Sequence, residues 1–154
     1  MTQILKKSIP ALNIRVGHQA RELILKEGLQ AHHVDTIPGA AGGPKGIGLT
    51  GLDQAIFGDF LSQAKQRRFL IGSSVGAWRF AGIVAQGEKK GPEKLAELYT
   101  HLPFHKKMKI ADIEKISRDM LAGILENKSQ QLLDHPDYHL KFKRQLGYAG
   151  DLIL

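Results

Sequence analysis

The chain has 154 residues, 42% of them hydrophobic and 6% aromatic, enough for one domain with an aliphatic core and short for two. It contains no cysteine, which excludes disulfides, thiolate metal sites and a cysteine nucleophile, and is compatible with a reducing compartment. Twenty-two Lys and Arg against 15 Asp and Glu give a net charge of +7, which draws a protein towards polyanions. The cations are scattered in pairs, such as Lys6-Lys7, Arg67-Arg68, Lys89-Lys90 and Lys106-Lys107. There is no basic tail or aromatic platform, so nucleic acid is not an expected partner.

No apolar run approaches the ~20 residues that span a bilayer. Lys6-Lys7 stand before a short apolar stretch broken by Pro10, without the apolar region of a signal peptide. The expected location is cytoplasmic, with peripheral contact to an anionic membrane as the partner that the charge allows. Seventeen glycines exceed ordinary usage, and without a Gly-x-y period they exclude collagen.

In chain order, Ile14 and Val16 suit a short strand or an arm. Ala20, Leu23, Ile24 and Leu25 recur at helical spacing over His18 to Leu29, with Gly28 as a C-cap. His33 to Ile37, with β-branched Val34, Thr36 and Ile37, runs into a loop of small residues, Pro38 to Gly46. Ile47 to Phe60 keeps one apolar face of a helix, and its glycines, Gly48 and Gly51, suggest close packing against a strand. Arg67 to Ile71 reads as a buried parallel strand. Gly72 to Gly76 is a turn, and Ala77 to Gln86 is a helix ended by Gly87. Pro92 opens another helix that runs to about His101. Ile110 to Asn127 is the clearest helix, with Ile113, Ile116, Met120, Leu121 and Ile124 on one side and Asp112 as a cap. Gln130 to Leu133 extends or follows it. Tyr138 to Lys143 alternates like a half-exposed strand. Strands alternating with helices predict an α/β sheet with parallel strands.

Two loops carry chemistry. Gly72-Ser73-Ser74-Val75-Gly76 matches G-x-S-x-G, a spacing with a steric reason. A serine at the tip of a sharp strand-to-helix turn needs small neighbours two residues away on each side. Its hydroxyl then projects at a helix N-terminus, where free N–H groups favour developing negative charge. Upstream, Gly42-Gly43-Pro44-Lys45-Gly46 also joins a strand to a helix. Glycines leave N–H groups uncovered, so Gly42, Gly43, Lys45 or Gly46 can donate into a site; Pro44 cannot. Lys45 adds a cation beside any anion that docks there. A Walker A loop is a poor match, because Pro44 and Gly46 stand where Gly and Ser or Thr belong.

Together the two loops resemble those of patatin-like phospholipases, which carry a glycine-rich oxyanion loop, a helix, a strand and then G-x-S-x-G. The resemblance covers about Val34 to Gln86, including Trp78 and Arg79 after the elbow, and is weaker over the rest. It implies that Ser74 is the nucleophile, that Gly42, Gly43 and Lys45 line the oxyanion site, and that Gly72 and Gly76 form the elbow. It implies an acyl ester of a glycerolipid or related compound as substrate, with no cofactor and no metal. The implied fold is a three-layer α/β sandwich with helices on both faces of the sheet. The family's dyad Asp lies in a D-G-G or D-G-A motif, and no Asp of this chain is followed by Gly; Asp151 precedes Leu152. The expectation is therefore that residues 1–154 are one patatin-like domain or its N-terminal part, incomplete and inactive if the base is absent. An unactivated serine hydroxyl is a weak nucleophile.

Two other readings stand beside this one. A Ser–His–Asp triad would use Ser74 with Asp119 or Asp134 and His135 or His139. A non-catalytic remnant would bind lipid or anions through the glycine loop. The pairs His101/His105 and His135/His139 have metal-ligand spacing, but Pro103 and Pro136 interrupt the helices that would align them. The oligomeric state is open.

Overall fold

A computed structural model describes residues 12–103, 105 and 107–142, and the chain divides into two units, residues 1–30 and 31–154. In the first, helix α1 (His18–Glu27) begins after Gly17, whose carbonyl accepts from Arg21 N–H at 2.9 Å. It ends at Gly28, where φ is +73°, a left-handed value that glycine takes without a Cβ penalty. Ile14 and Val16 lie in no strand.

The second unit is organised by three parallel strands in the order β1 (Thr36–Gly39), β2 (Arg68–Gly72) and β3 (Tyr138–Phe142). Parallel neighbours require long crossovers, and both are helical here. The first winds as a 3₁₀ segment (Gly43–Leu49), one α turn, α2 (Thr50–Asp53), a π segment (Gln54–Phe60) and a 3₁₀ turn (Leu61–Gln63). The helix expected from Ile47 to Phe60 is therefore present with changing pitch. Gly48 and Gly51 do not pack against a strand: a Cβ at either would meet no atom within 4 Å. The second crossover holds α3 (Val75–Gln86), α4 (Lys90–Thr100), α5 (Ile110–Leu125) and α6 (Gln131–Asp134). Asp112 does cap α5, its Oδ2 accepting from Lys109 N–H at 2.9 Å.

Helix α3 is central, with nine of its 12 residues buried. Phe80, Ala81, Ile83 and Val84 pack with Leu70 of β2, Tyr138 of β3, and Phe57 and Leu61 of the first crossover. A second cluster of Val75, Leu95, Met120 and Ile124 joins α3 to α4 and α5. The α3–α4 contact is backbone on backbone at Gly82 and Gly91, where a Cβ on Gly91 would overlap the Gly82 carbonyl.

Strand β2 is buried on one face only. Arg68, Leu70 and Gly72 point inward, whereas Phe69 and Ile71 are 42% and 40% exposed. The apolar run at 67–71 is thus half-buried rather than fully buried. Buried Arg68 donates to the carbonyls of Val34 at 2.9 Å, Ala64 at 3.0 Å and Ala31 at 3.2 Å, as a buried guanidinium requires. The chain is mixed α/β with a small parallel sheet. Among the described residues no helix is long and apolar enough to cross a membrane.

Candidate functional site

Ser74 stands between the end of β2 and the first residue of α3 with φ +52° and ψ −128°. Positive φ is unfavourable for a residue with a Cβ, and such strain persists only where surrounding structure imposes it. Here the surroundings are identifiable. A Cβ on Gly72 would lie 2.6 Å from Ala77 N, and one on Gly76 would overlap the Gly39 carbonyl. The turn closes through Gly76 N–H to Ser73 O at 3.0 Å and Ala77 N–H to Ser74 O at 2.8 Å. Ser74 is exposed, and its hydroxyl makes no capping bond to α3. A free hydroxyl at the start of a 12-residue helix faces partial positive charge.

The glycine loop lies beside this turn. Gly39 and Gly72 are register partners at the carboxyl ends of adjacent strands, and Ser73 N–H donates to Gly39 O at 3.0 Å. Further along, a Cβ on Gly46 would approach Val75 Cγ2 to 2.7 Å, so the 3₁₀ segment rests directly on the first residue of α3. Gly43 has φ +54°, again a conformation suited to glycine. Among the described residues no backbone carbonyl outside the helices accepts from Gly42 or Gly43 N–H, consistent with the first donors of a helix lacking an internal acceptor. Lys45 N–H donates to Gly42 O at 3.3 Å. Its backbone donor is thereby committed, and its exposed ammonium is what it offers an anion.

Two features of the site lie outside the sequence motifs. Asp53, 2% exposed, accepts two hydrogen bonds from Arg79, Nε to Oδ2 at 2.7 Å and Nη2 to Oδ1. This pair ties α2, which follows the glycine loop, to α3, which follows Ser74. The available signal was one charged residue inside the apolar run Val75 to Ala85; the partner, 26 residues earlier, has no local signature. Tyr99, near the end of α4, brings its hydroxyl to 3.7 Å from where a Gly43 Cβ would stand. Its ring packs near Trp78, with centroids 6.2 Å apart. Burial holds the Tyr99 phenol above its usual pKa, so it remains a neutral donor.

The histidines are held elsewhere. His139 pairs in register with Phe69, three residues before Gly72, or about 10 Å at ~3.3 Å per residue. His135 precedes β3. Both therefore lie towards the amino end of the sheet, whereas Ser74 follows the carboxyl end. Asp119 is engaged by Lys115 at 2.7 Å, and Asp134 accepts from Gln130 at 2.5 Å. His101 Nδ1 hydrogen-bonds the Glu97 carbonyl at 2.7 Å. Asp151 lies outside the described residues. Compared with family models, curated proteins and solved structures, the chain matches none.

Proposed function

We propose that the chain is a serine acyl-ester hydrolase of the patatin-like type, acting on glycerolipids or related acyl esters. The observation that carries this reading is the strained, exposed Ser74 at a helix N-terminus, with glycines on each side that admit no Cβ. Packing alone gives no reason to keep a serine where glycine would be relaxed. In this mechanism Ser74 Oγ attacks the ester carbonyl, and the Gly42 and Gly43 N–H groups donate to the oxyanion that forms; the C–O bond to the alcohol breaks, the alcohol leaves with the serine proton, and water then hydrolyses the acyl-serine to acid and free Ser74. One such donor is typically worth ~3–4 kcal/mol of transition-state stabilisation. Lys45 holds a lipid phosphate or steadies the loop.

The finer fold in this reading is a three-layer sandwich with helices on both faces of the sheet. The chain would work in the cytoplasm, at an anionic membrane. The second reading, a non-catalytic binder of lipid or anions, is favoured by the absence of any Asp-Gly step in the sequence. A fluorophosphonate probe separates the two. Labelling of the folded chain that is lost in Ser74→Ala supports the hydrolase. A folded chain that takes no label leaves the binder.

A further inference from the structure

The segment that leaves α4 two residues after Tyr99 is basic and apolar in sequence. From His101 to Ile110 the sequence holds three lysines, two histidines and no acid, interspersed with Leu102, Pro103, Phe104, Met108 and Ile110. His105, Lys107 and Lys109 are exposed. Ile110 and Ile113, on the first turn of α5, are 68% and 38% exposed. The acids of α5 are already engaged: Asp112 caps the helix, Glu114 pairs with Arg118 and Asp119 with Lys115. Lys107 and Lys109 have no ion-pair partner among the described residues. Beside this segment, α4 and α5 enclose a groove of about 380 Å³ whose apolar wall is Leu98, Leu102, Ile116 and Met120.

We infer that Lys107, Lys109 and the first turn of α5 form a docking surface for an anionic lipid bilayer, with the two lysines at the headgroups and Ile110 and Ile113 entering the acyl boundary. Unpaired cations beside exposed branched aliphatic side chains are the two components of interfacial binding. A nucleic-acid surface would use the cations and leave the isoleucines in water. Leu102 N–H donates to Tyr99 O at 3.3 Å, so the segment starts from the turn of α4 that carries the residue over Gly43. The choice of lipid over other polyanions rests on the acyl-hydrolase reading; the surface itself does not require turnover.

The experiment is co-sedimentation of the full chain with vesicles of phosphatidylcholine alone or mixed with phosphatidylserine, near physiological ionic strength. The wild-type chain and Ser74→Ala are expected to bind only the anionic vesicles. Lys107→Glu with Lys109→Glu should weaken binding roughly 25-fold or more, at about five-fold per lysine lost. Ile110→Asp should weaken it about ten-fold. Lys65→Glu with Arg67→Glu changes the net charge equally at other exposed positions and should have a much smaller effect. Circular dichroism of each variant verifies folding. Equal losses from both charge pairs, or no effect of Ile110→Asp, overturn the proposal. So does binding to duplex DNA in place of vesicles, or self-association reversed by Ile110→Asp without vesicle binding. A chain that binds vesicles as expected but takes no fluorophosphonate label retains this surface and loses the hydrolase reading.

Discussion

Arg79 grips Asp53 through two hydrogen bonds, Nε to Oδ2 at 2.7 Å and Nη2 to Oδ1, whereas the ion pairs His18–Glu22, Lys26–Glu27, Lys94–Glu126, Lys115–Asp119 and Arg118–Glu114 are on the surface. Both side chains are nearly removed from water, at 11% and 3% exposure. Removing one partner strands a buried charge, which typically costs ~3–5 kcal/mol. Asp53→Ala and Arg79→Ala should each fall in that range in urea unfolding. The double replacement Asp53→Leu, Arg79→Met should recover most of the loss. A double variant no more stable than either single would mean that the pair does not behave as a coupled unit.

Ser74→Gly should stabilise the fold by ~1 kcal/mol, because glycine occupies positive φ without a Cβ penalty. Ser74→Ala keeps the penalty and should show no such gain. Thermal unfolding of the two variants distinguishes a strained backbone from a relaxed one. Stability gained together with loss of the hydroxyl is the trade-off expected of a functional residue.

The glycines divide into two groups with opposite expected responses. Gly76→Ala places a methyl on the Gly39 carbonyl and should cost about 3 kcal/mol or more, since the clash is with backbone. Gly51→Ala enters open space on α2 and should gain ~0.5–1 kcal/mol from helix propensity and a less flexible unfolded chain. Similar effects at both positions in chemical denaturation would contradict the described turn.

Tyr138 supplies a pH dependence. Burial, reinforced by Glu88, pushes its phenol up from 10.0 to about 12 against the opposing pull of Arg68, with Asp137 adding to the rise. The folded state therefore keeps the proton at pH values where the unfolded state has lost it. The stability linked to this group is complete below about pH 10 and is lost as pH rises towards 12. Tyr138→Phe should flatten the fall in unfolding free energy across that interval. A fall of equal slope in the variant would assign the alkaline transition to other groups.

The junction of β2 and α3 was legible because three signals coincide there: an apolar run, two spaced glycines around a serine, and resumed helical periodicity. Gly28 and Gly87 also ended their helices, both at positive φ. The half-exposed face of β2 was not legible. Phe69 and Ile71 look the same in sequence whether or not a layer covers them. Nor was the changing pitch of residues 43–63, which depends on packing rather than on the apolar pattern. Asp53–Arg79 and Tyr99–Gly43 join residues far apart in the chain, and neither contact imposes a local spacing. Within the candidate site, Ser74 and the glycines around it are visible as a motif, while Asp53, Arg79 and Tyr99 are brought to it by long-range contacts.

The order of the strands has a dynamic consequence. β2, which carries the Ser74 turn, is hydrogen-bonded on both sides, whereas β1, which carries the glycine loop, has one partner strand among those described. The amides of β1 should therefore exchange with solvent faster than those of β2. The donors at Gly42 and Gly43 can move away while the serine turn keeps its form. Access to the candidate site can then be governed by fluctuations of one edge of the sheet, without unfolding the helix that begins after Ser74.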